Sequence, residues 1–282
     1  MSPGWLLTIY CVLVLFASLA GGWFLLFIHL THTRLQIAVS FVAGLMLGIA
    51  LLHFLPDADE QLHSLDKTAA WMLGGFLAMF FVQRFFHFHH HDLPEGDPED
   101  CCEHDHSHEH HHDDEHAHTL ADKSAKQLSW VGTALGLTFH SLLDGLALAA
   151  AVVAGTQGNA KLAGLGVALV VILHKPFDAM AVSTLMAASG KSKSSRHVLN
   201  GLFSLASPLG AVLFYFGANH LVGADTPILG CALAFCAGSF LCIASSDLLP
   251  ELQFHSHDRF KLSAALIAGL AVAVIIKQFE AA

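Results

Sequence analysis

The sequence predicts an all-α polytopic membrane protein of eight transmembrane helices built as an inverted 3+2+3 repeat. Three observations predict it. The 282 residues are 54% hydrophobic but only 13% charged, with a mean hydropathy of +0.57, whereas soluble domains carry about 25% charged residues. Apolar runs of about 20 residues, the length that crosses a bilayer, recur eight times along the chain. A stretch of the second run also reappears, little changed, in the seventh.

The runs are Trp5–Ile28, Leu35–Leu55, Ala69–Phe86, Trp130–Ala154, Leu162–Ala188, Val198–Ala218, Ile228–Leu249 and Leu262–Phe279. The first has no basic leader and no small-residue cleavage site, so it reads as a retained span. The third and eighth are short. They divide the chain into residues 1–86 with spans 1 to 3, a loop at 87–126, residues 127–188 with spans 4 and 5, and residues 189–282 with spans 6 to 8.

The loop explains the charge. The chain carries −10 overall, but the stretch from His87 to Asp122 holds twelve acids and no Lys or Arg. Outside it the chain is nearly neutral, so bulk charge makes no case for nucleic-acid binding. The same loop holds twelve His between His87 and His118, together with Cys101 and Cys102. It reads as disordered, able to bind zinc or similar ions as a buffer or sensor, or to serve as a mere solvated spacer. Of the thirteen Lys and Arg, nine fall in one alternating set of loops: Arg34, Arg84, Lys123, Lys126, Lys191, Lys193, Arg196, Arg259 and Lys261. The positive-inside rule then puts that set, with the long loop, in the cytoplasm and both termini outside it, in a multi-pass protein of the cell membrane.

Phe41–Asp57 reads FVAGLMLGIALLHFLPD and Phe235–Glu251 reads FCAGSFLCIASSDLLPE, a match at eight of seventeen positions with an offset of 194. With eight spans the two copies run in opposite directions, a construction common among secondary transporters. It sets His53 and Asp57 opposite Asp247 and Glu251.

Polar groups inside spans add chemistry. His140 and Asp144 on the fourth span, and His174 and Asp178 on the fifth, are each spaced i, i+4, so each pair projects from one helix face. An Asp at mid-bilayer costs roughly 2.5–3.5 kcal/mol and normally meets a partner, a cavity or a pathway. Two imidazoles and two carboxylates converging between helices make an N₂O₂ site suited to a divalent transition metal. The alternative is two separate intrahelical hydrogen bonds. Pro176 is expected to loosen the fifth helix near the site. His53 and Asp57 form an outer vestibule and Asp247 and Glu251 an inner exit, unless these acids are ordinary helix-end solvation.

These residues resemble the ZIP (Zrt/Irt-like protein) family of divalent-metal transporters over nearly the whole chain outside the loop. The fourth-span pattern H-[NS]-x-x-[DE]-G is matched by His140, Ser141, Asp144 and Gly145. The second-span pattern is matched by Gly48, Leu51, Leu52, His53, Leu55, Pro56 and Asp57, and the seventh-span D-LLPE by Asp247, Leu248, Leu249, Pro250 and Glu251. The resemblance implies eight spans, external termini and metal ligands on the fourth and fifth spans. Some members bind two metals with further polar residues. The corresponding positions here are Ser141, Lys175 and Ser207, so an ammonium stands where a second cation would sit, and a single metal is expected. Asp178 is followed by Ala179 where the family often has Gly, which weakens the fifth-span match.

The implied activity is movement of zinc, or of Fe²⁺, Mn²⁺, Co²⁺ or Cd²⁺, towards the cytoplasm, with no organic cofactor. A homodimer is left open. No G-x-x-x-x-G-K-[ST] motif for ATP is present. The alternatives are an intramembrane zinc hydrolase using Ser141, a metal exporter, and a non-transporting metal sensor.

Overall fold

A computed structural model describes residues 2–24, 32–86, 115–158, 160–221, 227–248 and 259–280. Every regular element among them is helical: α1 (Pro3–Phe24), α2 (His32–Ile49), α3 (Leu55–Leu62), α4 (Leu65–Phe86), α5 (Glu115–Gln157), α6 (Leu165–Ala188), α7 (Lys193–Ser204), α8 (Ala206–Leu221), α9 (Ile228–Ile243) and α10 (Arg259–Glu280). Wider π turns, Ala50–Phe54 and Ala244–Leu248, follow α2 and α9. Eight helices are long and apolar enough to cross a membrane, among the described residues.

The boundaries correct the sequence reading in several places. The second span does not stop at Leu55. It continues through the π turn into α3 and ends at Leu62, because Ala58 and Leu62 still find buried contacts. Pro56 is tolerated there: its ring would clash with the carbonyl four residues back, and the freed Leu52 carbonyl accepts from Lys277 Nζ instead. His63, with a left-handed φ of 48°, then turns the chain into α4. The third span starts at Leu65 rather than Ala69, and the eighth runs Arg259–Glu280 rather than Leu262–Phe279. The sixth starts at Lys193, capped by the Ser192 side chain on Ser195 N, and is interrupted at Leu205 between α7 and α8. Helix α5 starts at Glu115, inside the stretch read as loop. The rest of that loop, with Cys101 and Cys102, lies outside the described residues, as do 25–28 of the first expected span and Leu249 of the seventh.

Lipid-solvated helices gain little by burying leucine against leucine, so close approach of backbones through small residues takes over. Here it is reciprocal. On α2 and α10, a Cβ at Gly44 would collide with the Leu266 carbonyl, and one at Gly269 with the Phe41 carbonyl. On α4 and α9, Gly238 faces the Met72 carbonyl and Gly75 the Phe235 carbonyl in the same way. Each residue of one set lies 194 positions from its counterpart in the other, as do the two π turns. Helices α5 and α8 meet through Gly145 on the Ser207 carbonyl and Gly210 on the Leu142 carbonyl.

Two packed groups result. One holds α2, α3, α4, α9 and α10; the other holds α1, α5, α6, α7 and α8. Large apolar side chains such as Phe16, Trp71, Leu213, Ile267 and Phe279 point outward, as a lipid-facing surface requires. Among the buried polar residues, His140, Ser141 and Asp144 of α5 and His174 and Lys175 of α6 form one cluster.

Candidate metal centre

Helix α6 runs unbroken from Leu165 to Ala188 through Pro176, although the proline has no N–H to offer the Ile172 carbonyl. Neighbouring packing holds it: a Cβ at Gly21 of α1 would collide with the Pro176 backbone, so α1 lies directly on that turn. His174 and Asp178 therefore keep their helical register and face His140 and Asp144 of α5.

The four side chains converge, with one ligand atom from each lying within 4.8 Å of the others. His140 Nε2 is 3.5 Å from Asp144 Oδ2 and 3.7 Å from Asp178 Oδ2. His174 Nε2 is 3.2 Å from Asp144 Oδ2 and 3.8 Å from Asp178 Oδ2. The imidazole rings are 5.3 Å apart. Cross-helix approaches are as short as the i, i+4 ones, so two separate intrahelical pairs do not describe the arrangement. His174 Nδ1 donates to the Val170 carbonyl at 2.8 Å. With Nδ1 so committed, Nε2 is the atom that faces Asp144 Oδ2, and the neutral imidazole presents its lone pair there to a metal. Asp144 is fully buried, while the Asp178 side chain keeps 15% of its surface accessible. Asp144 Oδ1 and Asp178 Oδ2 have no hydrogen-bond donor, an arrangement that costs free energy unless a cation completes it.

Lys175 supplies part of that completion. Its ammonium donates to Asp144 Oδ2 at 2.6 Å and to Ser141 Oγ at 2.7 Å, and lies 3.6 Å from Asp178 Oδ2. The Phe203 ring flanks it at 5.6 Å. Ser141 donates in turn to the Leu137 carbonyl at 2.7 Å. A hydroxyl so engaged is poorly placed as a nucleophile. Ser207 is buried on α8 where its backbone meets Gly145, and its hydroxyl has no hydrogen-bond partner among the described residues.

His53 and Asp57 line a separate cavity of about 460 Å³ with Glu60, Lys277 and Glu280. Its wall includes Ala151 of α5, seven residues and so about 10 Å of helix beyond Asp144. His53 is pinned by Glu280 Oε2 on Nδ1 and by the Ala273 carbonyl on Nε2, both at 2.9 Å. The other Glu280 oxygen accepts from Gly166 N, at the start of α6, at 3.1 Å. The sequence reading missed Glu280 and Lys277 here, since acids and lysines at a span end are commonplace and nothing local marks their partners. At the opposite end, Asp247 belongs to the second π turn. Its side chain and the whole of Glu251 lie outside the described residues. Next to it, Ser246 Oγ donates to Gln83 Oε1 at 2.8 Å.

The family profile described as "ZIP Zinc transporter" matches residues 5–277. "Zinc transporter ZIP9-A" of Xenopus laevis is 25% identical over 267 residues, covering 82% of this chain and 80% of that protein. "Zinc transporter ZIP9-B" of the same species is 30% identical over 170 residues, 57% of this chain and 54% of its own length. "Zinc transporter ZupT" of Chlorobium phaeovibrioides is 27% identical over 269 residues, with 93% and 94% covered. Several matches are thus partial: the chain spans about half the length of ZIP9-B.

Proposed function

Because the chain belongs to the ZIP zinc transporter family, we propose that it carries a divalent transition metal, zinc foremost, across a membrane through His140, Asp144, His174 and Asp178. The observation that carries this reading is the convergence of those four ligand atoms within 4.8 Å, between two helices long and apolar enough to cross a membrane. Two neutral imidazoles and two carboxylates suit the tetrahedral preference of zinc. The same donors also accept Fe²⁺, Mn²⁺, Co²⁺ or Cd²⁺, with geometry rather than donor type setting the preference.

A metal arriving from outside would first meet Asp57, Glu60 and Glu280 in the wide cavity, with His53 held ready by Glu280. It would then pass along α5 and α6 to the central cluster, where it exchanges water for protein ligands. Asp247 and Glu251 would receive it on the cytoplasmic side. The bias of Lys and Arg to one set of loops supports this direction, with both termini outside. The shared 194-residue offset of the glycine contacts and the π turns supports an inverted repeat around the site. Ser141, Lys175 and Ser207 tune the centre without binding the metal, so one ion is carried at a time.

The test is zinc entry into proteoliposomes containing a trapped fluorescent zinc indicator. Native protein should give saturable entry, and Asp144→Ala should abolish it while the protein remains monodisperse. Undiminished entry in that variant would remove the central site from the path.

A further inference from the structure

We infer that Lys175 is a built-in counter-charge that lets the empty site make its return across the membrane, so that net transport depends on it far more than metal exchange does. This rests on the transport reading above. The observations are geometric: the ammonium is 2.6 Å from Asp144 and 3.6 Å from Asp178. It is buried at 1% exposure and sits on α6 directly beside His174. It therefore accompanies the metal site wherever that site goes.

Consider the charge carried in each half of a cycle. With neutral imidazoles and ionised carboxylates, the four ligands alone have two negative charges when empty and none when holding a divalent ion. Adding Lys175 makes the empty site carry one net negative charge and the loaded site one net positive charge. The cost of holding an ion in a medium of low dielectric rises with the square of its charge. Without Lys175 the loaded site would move easily and the doubly charged empty site hardly at all. With it, the two halves face comparable barriers. The lysine adds nothing to the charge delivered per cycle; it divides the burden between the two steps.

Ser141 keeps this cation in place. Its hydroxyl accepts from Lys175 while donating to the Leu137 carbonyl, so a neutral group anchors the ammonium in addition to the carboxylates. The Phe203 ring covers another side of it, an environment that attracts a cation without neutralising it.

The experiment compares two fluxes in the same proteoliposomes, with zinc as the probe. Net entry into zinc-free vesicles requires the empty site to return. Exchange of labelled for unlabelled zinc, with zinc on both sides, does not. For Lys175→Met and Lys175→Gln, the ratio of net entry to exchange should fall about tenfold or more, which is roughly 1.4 kcal/mol in the return barrier relative to the loaded step. Lys175→Arg should recover net entry. Preserved exchange itself reports a folded protein. An equal fall in both fluxes would make Lys175 a structural support and overturn the inference, and so would unchanged net entry.

A second measurement needs no variant. Exchange by the native protein should respond to a membrane potential set with potassium and valinomycin, because the loaded site moves with net charge. Exchange indifferent to potential contradicts the inference. Native protein with neither flux would instead refute the transport reading.

Discussion

Glu280 joins two residues that the sequence keeps far apart: one carboxylate oxygen lies 2.9 Å from His53 Nδ1, and the other accepts from Gly166 N. The last helix thereby ties the π turn of the second span to the start of the helix bearing His174 and Asp178. Glu280→Gln keeps the size but loses the charge that attracts a metal to the cavity. It should raise the zinc KM several-fold, leaving kcat within about twofold, since capture and not the central step is affected. Concentration dependence of zinc entry checks this; an unchanged KM would exclude Glu280 from capture.

The glycines give an internal control for packing. A Cβ on Gly75 would run into the Phe235 carbonyl, while one on the adjacent Gly74 would meet nothing within 4 Å. Overpacking of this kind costs about 1–3 kcal/mol. Gly75→Ala should lower the melting temperature in detergent, and Gly74→Ala should leave it unchanged or slightly raised. Equal behaviour of the two variants would contradict the close approach of α4 and α9.

Much of this arrangement was legible in the sequence. Hydropathy located all eight spans because lipid demands long apolar runs, and polar groups stranded within those runs singled out His140, Asp144, His174 and Asp178, which the fold brings together. Helix periodicity supplied the shared face within each pair, but not the crossing of the pairs. Less was legible where a residue's role depends on a remote partner. Glu280 and Lys277 look like ordinary ends of a final helix until His53 and the Leu52 carbonyl are brought to them. The Leu-Pro-Asp of the second span looked like a stop, yet the π turn and Lys277 let the helix continue to Leu62. At Pro176 one backbone hydrogen bond is lost, yet α1 packs on that turn through Gly21 and the helix continues, which the sequence alone does not show.

Protons compete with the metal. Nε2 of His174 faces the carboxylates because Nδ1 is committed to the Val170 carbonyl, and a proton on Nε2 excludes a metal from it. Both imidazoles must be neutral to bind, so zinc affinity should fall as the solution is acidified, with protons released on binding. Isothermal titration at several pH values measures this. Affinity that rises on acidification would contradict imidazole ligation.

The number of ions at the centre follows from Lys175, whose ammonium already contacts both Asp144 and Asp178. Protein lacking residues 92–120 should retain one tightly bound zinc per chain, and none after His140→Ala. Metal analysis showing two tightly bound zinc ions per chain in the shortened protein would contradict a single-ion centre.

Anomalous scattering at the zinc edge from zinc-soaked crystals locates the ion itself. A single strong peak about 2.0–2.2 Å from His140 Nε2, His174 Nε2 and a carboxylate oxygen each of Asp144 and Asp178 is the predicted result. A peak confined to the His53, Asp57 and Glu280 cavity, with none between α5 and α6, would contradict it.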